Sequence, residues 1–246
     1  MRNYAKCHER ISHETLSAQL DANLKEIGVS GYTIENVSQV QDKDGEWRPI
    51  DSDKDPTVIL LHYPSILEDT INYIPPRVKI EVSCLSMDEP TELRPIRSLI
   101  GESFDGEDTD ADSFVRTVVP TRTFLEKLFL LAEEFQKEKP RSVRMSRHLY
   151  DLEKLMDTEY GKEALSNRIL YDAIVEHRKT YYALKYVNYD LHAPSTISFT
   201  IPESLMEAWQ DDYTDMRRFF IYGESLEYDA LMQRIEELQK QVRILC

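Results

Sequence analysis

Cysteine, basic charge and long apolar runs are all scarce in this sequence. The 246 residues contain three cysteines, which are far apart and form no CxxC pair. A disulfide framework and a zinc cluster are therefore not expected, and a reducing cytoplasm is the simple interpretation. No apolar run is long enough to cross a bilayer. The first residues, MRNYAKCHERISHE, are too polar for a signal peptide. We therefore expect no membrane partner.

The balance of charge limits the possible ligands. There are 30 Lys and Arg residues against 45 Asp and Glu residues, which gives a net charge of -15. Such a surface repels phosphate, so broad, non-specific binding of nucleic acid is excluded. A nucleotide or RNA site must then be a local basic patch, or it must use a metal ion to neutralise carboxylates.

Several well-known motifs are also missing. The sequence has no GxSxG, no P-loop, no GxGxxG and no Cys–His site signature. Its DxD pairs all fall in polar loops, where they are weak indications of a metal site. Indications of function must therefore come from clusters of charged residues and from the spacing of apolar residues.

The patterns that are present predict an α+β protein. Hydrophobic content of 41% and aromatic content of 10% are typical of a folded globular chain. We divide it into a strand-rich region, 1–120, and a helical domain, 121–246. Predicted elements of the first region are a helix at 12–27, strands at 32–40, 57–64 and 77–84, and an acidic loop at 101–112. The second region is predicted to be helical. Its first helix begins with a capping box at Thr123 and Glu126. Further helices are predicted at 144–156, 162–186, 203–220 and 225–243.

The segment RMSRHLYDLEKLM, residues 144–156, combines an apolar helical stripe with cations. Arg147 and Asp151 are four residues apart and could form an ordinary surface pair, worth about 0.3–0.5 kcal/mol. The alternative is a phosphate patch, because five cations occur within eleven residues of this acidic chain. These cations are Lys137, Lys139, Arg141, Arg144 and Arg147.

Two further charged residues have open interpretations. Lys127 follows Glu126 and emerges beside an apolar stripe, so it is either a snorkelling lysine or a phosphate-binding cation. Glu81 lies two residues from Lys79 on a predicted strand. It is either half of an exposed Lys–Glu pair or a metal ligand or base.

Several phrases together resemble the AbiEii/AbiGii toxin family of nucleotidyltransferases. VVPTRTFLEKLFLLAEEFQK and RMSRHLYDLEKLMDTEYGKEAL resemble the centre of that family, and YIPPRVKIEVSCLSMDEPTELRPIRSLI resembles the segment before it. HRKTYYALKYVNYDLHAPSTISFTIP and WQDDYTDMRRFFIYGESLEYDALMQRI are similar to a bacterial branch. The resemblance covers most of 57–246 and, more loosely, 10–56.

The resemblance implies a fold related to polymerase β-type nucleotidyltransferases, with a mixed sheet followed by a helical domain. It implies Mg²⁺-dependent transfer from a nucleoside triphosphate, with tRNA or another RNA as a candidate acceptor. Many members are toxins of toxin–antitoxin or phage-defence systems, which makes an antitoxin a candidate partner. Matched position by position, the catalytic candidates are Glu81, which is also the metal ligand, Lys127 and Asp151. The nucleotide-binding candidates are Lys79, Arg144 and Arg147.

The sequence departs from the family pattern in one respect. The family's first motif is a Gly-rich turn, a short helix and an Asp-x-Asp on the next strand, and this sequence has no such motif. We therefore expect a partial nucleotidyltransferase sheet and a chain that is inactive alone. We also expect the strand at 77–84 to be left as an edge that invites a second copy. The rival hypothesis is a non-catalytic module that binds an antitoxin or another protein.

Overall fold

The computed structural model describes residues 13–41, 46–49, 57–65, 75–82, 90–104 and 112–245. The chain divides into two compact units, Met1–Ser86 and Met87–Cys246, and each is described by itself. The prediction from sequence placed a boundary at residue 120. The two divisions differ because a strand pair before residue 120 is grouped with the helices.

Among its described residues, the first unit combines one helix with short antiparallel strands. Its elements are α1 (His13–Glu26), β1 (Thr33–Asn36), β2 (Gln39–Gln41), β3 (Trp47–Pro49), β4 (Thr57–His62) and β5 (Arg77–Val82). The strand order is β1-β4-β5 in one sheet, and β2 pairs with β3. Gly28 follows α1 with a φ of 79°, a left-handed conformation that glycine adopts without a steric penalty.

The centre of the three-stranded sheet is β4. Its Val58, Ile59 and Leu60 are buried, as the continuous apolar run predicted. Ile80 of β5 lies opposite Ile59 in the antiparallel register. Among the strands that the structure describes, β5 is at an edge, as expected. Pairing of β5 with a second copy stays a prediction.

The second unit is mainly helical. It begins with β6 (Thr91–Arg97), α2 (Leu99–Ser103) and β7 (Asp112–Val118), and β6 and β7 form an antiparallel ribbon. The helices that follow are α3 (Pro120–Glu134), α4 (Ser146–Met156), α5 (Glu159–Ser166), α6 (Arg168–His177), α7 (Met206–Phe219) and α8 (Tyr228–Arg243). A π-helix, Arg178–Tyr182, continues α6.

The core of this unit is formed by the apolar stripes of its helices. Leu149, Leu152 and Met156 of α4 are buried, as their i, i+3 and i+7 spacing predicted. Phe124 and Leu128 of α3 are fully buried in the same unit, and α3 contacts both α4 and α5. This packing brings side chains from distant parts of the sequence to the α3–α4 contact.

The α+β class and the helical C-terminal region are confirmed, with three corrections. All pairings of the described strands are antiparallel, where a mixed sheet was expected. The capping box is wrong: α3 begins at Pro120, whose fixed φ suits the first helical position, so Thr123 lies inside the helix. The β6–β7 ribbon was not predicted, because Pro95 interrupts the strand pattern of β6. Most of the predicted acidic loop, residues 105–111, lies outside the described residues.

No helix in the described ranges is long and apolar enough to span a membrane.

Candidate functional site on α3 and α4

The two carboxylates predicted from the family resemblance lie in different units. Glu81 is on β5 of the first unit and forms an ion pair with Lys79, whose Nζ lies 2.5 Å from Glu81 Oε1. Both side chains are about half exposed, at 52% and 53%. This geometry is that of a solvated pair on one strand face. The family resemblance implies that Glu81 lines one cleft with Lys127, Arg147 and Asp151, and this convergence stays a prediction.

In the second unit, Lys127 and Asp151 are in direct contact. Lys127 Nζ on α3 lies 2.5 Å from Asp151 Oδ2 on α4. Their side chains are 23% and 35% exposed, so the pair lies at the border between the core and solvent. Lys127 lies on α3 between Phe124 and Leu128, and both of these residues are fully buried. The contact with Asp151 holds the ammonium group at a defined place.

Arg147 does not form the surface pair that its spacing from Asp151 allowed. Asp151 accepts a hydrogen bond from Lys127 instead. Arg147 is exposed and makes no ion pair with a carboxylate among the described residues. An exposed guanidinium near a lysine is suited to bind a phosphate group.

His148 is a neutral group beside these cations. It is buried, and burial together with the charges of Lys127, Arg147 and Arg141 lowers its pKa to about 4. Glu134 acts in the opposite direction, with a smaller effect. His148 therefore adds no positive charge to the site at neutral pH.

Asp212 of α7 fixes the beginning of α4. Its Oδ1 accepts a hydrogen bond from the backbone N–H of Arg144 at 2.5 Å, and its Oδ2 accepts from the N–H of Ser146 at 2.9 Å and from Ser146 Oγ at 2.5 Å. Arg144 itself has a left-handed φ of 58°. Asp212 thus acts as a helix cap supplied by another helix. Sequence reasoning missed it, although its place within the buried stripe of Trp209, Tyr213 and Met216 was a usable signal.

A buried ionic network supports α3 from the side of the π-helix. Arg178 donates to Glu133 from Nε at 2.8 Å and from Nη2 at 2.5 Å, and it also donates to Glu126. Arg122 donates to the other oxygen of Glu126 at 3.0 Å. The role of Glu126 is therefore to join these two arginines rather than to cap a helix. Since Lys127 follows Glu126, the network also fixes the turn of α3 that carries Lys127.

The residues do not form a complete metal centre. In the part of the chain that the structure describes, no three His, Cys, Asp or Glu side chains are grouped so that they could hold a metal ion. Asp151 is the carboxylate of the pair, and its described partner is a cation. A Mg²⁺ ion in proteins takes oxygen ligands in an octahedral arrangement, which this set does not supply.

A family model described as nucleotidyl transferase AbiEii toxin, type IV TA system, matches residues 9–234 of the chain. The chain belongs to this family. A comparison with curated proteins finds no match. As a member of the AbiEii family, the chain is a nucleotidyltransferase-type toxin of a type IV toxin–antitoxin system. The matched range includes Lys127, Arg147 and Asp151, and also Glu81. It assigns no role to any of these residues.

Proposed function

We propose that the chain binds a nucleoside triphosphate at the α3–α4 site, as part of nucleotide transfer in a toxin. Lys127 and Arg147 bind the phosphates, and Arg144, which precedes α4, is a further cation for them. Asp151 is the carboxylate of the reacting centre. Transfer of a nucleotide needs several positive groups, because negative charge is spread over the phosphate oxygens in the transition state.

The observation that carries this proposal is the contact of Lys127 with Asp151 at 2.5 Å, from residues 24 positions apart. A lysine that merely covered an apolar surface would not need a carboxylate from another helix. Arg147 lies exposed on α4 within the same turn as His148, and both Lys127 and Arg147 act on the pKa of His148. Arg147 and Asp151 are four residues apart on α4 and so emerge on the same side of that helix, where Asp151 contacts Lys127.

Glu81 is proposed as a further carboxylate of the reaction and as a ligand of Mg²⁺, with Lys79 beside it. A Mg²⁺ ion held by Glu81 would neutralise negative charge on the triphosphate. The described residues of either unit do not complete such a metal site, so no step is derived through the ion. What supports Mg²⁺ and a triphosphate is membership of the AbiEii family.

The acceptor is proposed to be tRNA or another RNA. With a net charge of -15, contact with RNA must be confined to a local patch, and the cations of 137–147 are the available cluster. A role in phage defence and a cytoplasmic location are likewise proposals.

The test measures binding of each ribonucleoside triphosphate to the full chain by titration calorimetry. We expect Lys127→Met and Arg147→Gln each to weaken binding by about tenfold, because each removes a charged hydrogen bond to phosphate. Lys162→Met is the control, since Lys162 is exposed on α5. Equal affinity of Lys127→Met and the unchanged chain would overturn the proposal.

An interaction module that binds an antitoxin is the second candidate function. The observation that favours it is the face of the β6–β7 ribbon that carries Leu93 and Phe114, which are 62% and 66% exposed. Apolar side chains exposed together often mark a protein interface. We expect Phe114→Lys to lower the affinity for the antitoxin that neutralises this toxin, measured with purified proteins, while triphosphate binding is unchanged. Unchanged antitoxin affinity would reject this surface.

A further inference from the structure

An exposed tyrosine lies beside two cations, away from the Lys127–Asp151 pair. Lys137 Nζ is 5.6 Å from the centroid of the Tyr186 ring, and the ring residue is 44% exposed. Burial and the charges of Glu133 and Glu134 raise the pKa of the Tyr186 phenol to about 12, and the charge of Arg141 acts in the opposite direction with a smaller effect. The Tyr186 ring is thus accessible from solvent and lies next to two positively charged side chains, Lys137 and Arg141.

This surface is held in place by buried and backbone groups. Glu134 is buried and binds both cations: Lys137 Nζ and Arg141 Nη2 each lie 2.8 Å from Glu134 Oε2. The loop that carries Tyr186 is attached to the end of α3, because the N–H of Asn188 donates to Gln136 Oε1 at 2.7 Å. The ring and the cations therefore have fixed positions before any ligand binds.

Arg141 connects this surface to the proposed triphosphate site. Its charge affects both Tyr186 and His148. Lys127 and Glu134, the ion-pair partner of Arg141, are seven residues apart on α3, so they lie on one face of that helix about two turns apart. A line of cations thus extends from the Tyr186 ring to the Lys127–Asp151 pair. Such a line can follow the phosphates of a nucleotide or a strand.

We propose that Tyr186, flanked by Lys137 and Arg141, is a stacking platform for a nucleobase whose phosphates lie along the cations towards Lys127. Every nucleobase has a π face that can stack on a tyrosine ring, and neighbouring cations bind the attached phosphates. The base can belong to the nucleoside triphosphate or to a single-stranded end of the RNA acceptor. The inference rests on the proposed function for the position of the phosphates.

The test is fluorescence anisotropy of the full chain with three probes. They are a labelled single-stranded RNA of about ten nucleotides, a strand of equal length without bases, and a ribose-labelled ATP. We expect Tyr186→Ala to weaken binding of a base-containing probe by about tenfold, the range seen when a stacking side chain is removed. Binding of the strand without bases stays unchanged. Tyr186→Phe keeps the ring and the affinity. Tyr222→Ala is the matched control, since Tyr222 is an exposed tyrosine beyond α7.

The outcomes separate the two sources of the base. A loss with RNA assigns the platform to the acceptor, and a loss with ATP assigns it to the triphosphate. An equal loss with the strand that lacks bases, or no loss with any probe, overturns the platform. The proposed function fails separately, if Lys127→Met binds ATP as tightly as the unchanged chain. Absence of binding of every probe to the unchanged chain overturns both. Thermal unfolding of each variant checks that the fold is intact.

Discussion

At the scale of single residues, the contact between Lys127 and Asp151 determines how the site treats a phosphate. The carboxylate lies 2.5 Å from the ammonium group that is proposed to bind the triphosphate. It therefore competes with that ligand for the same cation, and at the same time it adds negative charge next to the ligand.

This competition gives the first prediction. In the presence of a chelator of divalent ions, Asp151→Asn should bind ATP about fivefold more tightly than the unchanged chain, since roughly 1 kcal/mol of repulsion is removed. Titration calorimetry measures the change. Asp172→Asn is the control, because Asp172 forms an exposed ion pair with Arg168 on α6. Weaker binding by Asp151→Asn would mean that the carboxylate supports the ligand directly.

His148 gives a second prediction, on the pH dependence of stability. Its pKa is about 4 in the folded chain, against an ordinary value of 6.5 for histidine, so the unfolded chain binds the proton more readily between these values. Stability from this residue is therefore fully present above the unfolded pKa and is lost as the pH falls towards 4. Between about pH 7 and pH 5 the loss amounts to roughly 2 kcal/mol.

Urea denaturation at both pH values measures this loss. His148→Gln removes the titrating group, so its free energy of unfolding should change less over the same interval. The pKa values of Glu133 and Glu134 are lowered. Their contribution to stability is lost at lower pH, and this loss is the same in His148→Gln and in the unchanged chain. An equal pH dependence in the variant and the unchanged chain would show that His148 is not the group responsible.

At the scale of elements, the position of α4 depends on Asp212 more than on its own sequence. The helix begins without a side-chain cap from its own segment, and the buried carboxylate of α7 accepts hydrogen bonds at its first turn. Arg147 and Asp151 lie on the first two turns of α4. Their positions therefore depend on a residue more than 60 positions later in the chain.

The third prediction concerns this cap. Asp212→Ala leaves buried N–H groups and a hydroxyl group without their acceptor, and should lower the free energy of unfolding by about 3 kcal/mol. Urea denaturation followed by helical circular dichroism measures it. Asp211→Ala is the matched control on the same helix, where an exposed carboxylate should matter by less than about 0.5 kcal/mol. Equal stability of the two variants would show that the cap contributes nothing.

The sequence predicted those elements whose apolar residues are periodic along the chain or form one continuous run. The stripe of Leu149, Leu152 and Met156 predicted α4, and the run in β4 predicted a buried strand. Contacts between distant segments could not be predicted this way. The pairing of Asp151 with Lys127 rather than Arg147 depends on how α3 and α4 pack, which periodicity does not contain. The family resemblance nominated both residues, but it did not supply their contact.

At the scale of the whole molecule, the acidic chain concentrates cations in one segment. The net charge is -15, yet five cations lie between residues 137 and 147. Distant carboxylates repel a triphosphate, and near cations attract it. At about 0.1 M salt the Debye length is about 10 Å, so the distant repulsion is largely screened and the near attraction remains.

The last prediction follows from this difference in distance. Above about 0.1 M salt, further salt acts mainly on the cations near the ligand, so the affinity for ATP should fall as salt increases. Calorimetric titrations over a series of NaCl concentrations measure the slope. Arg147→Gln should lower the slope, because one exposed cation near the phosphates is lost, whereas Lys162→Met should keep it. An affinity that rises with salt would mean that repulsion by the whole acidic molecule exceeds the attraction of the patch, and the α3–α4 surface would then not be the triphosphate site.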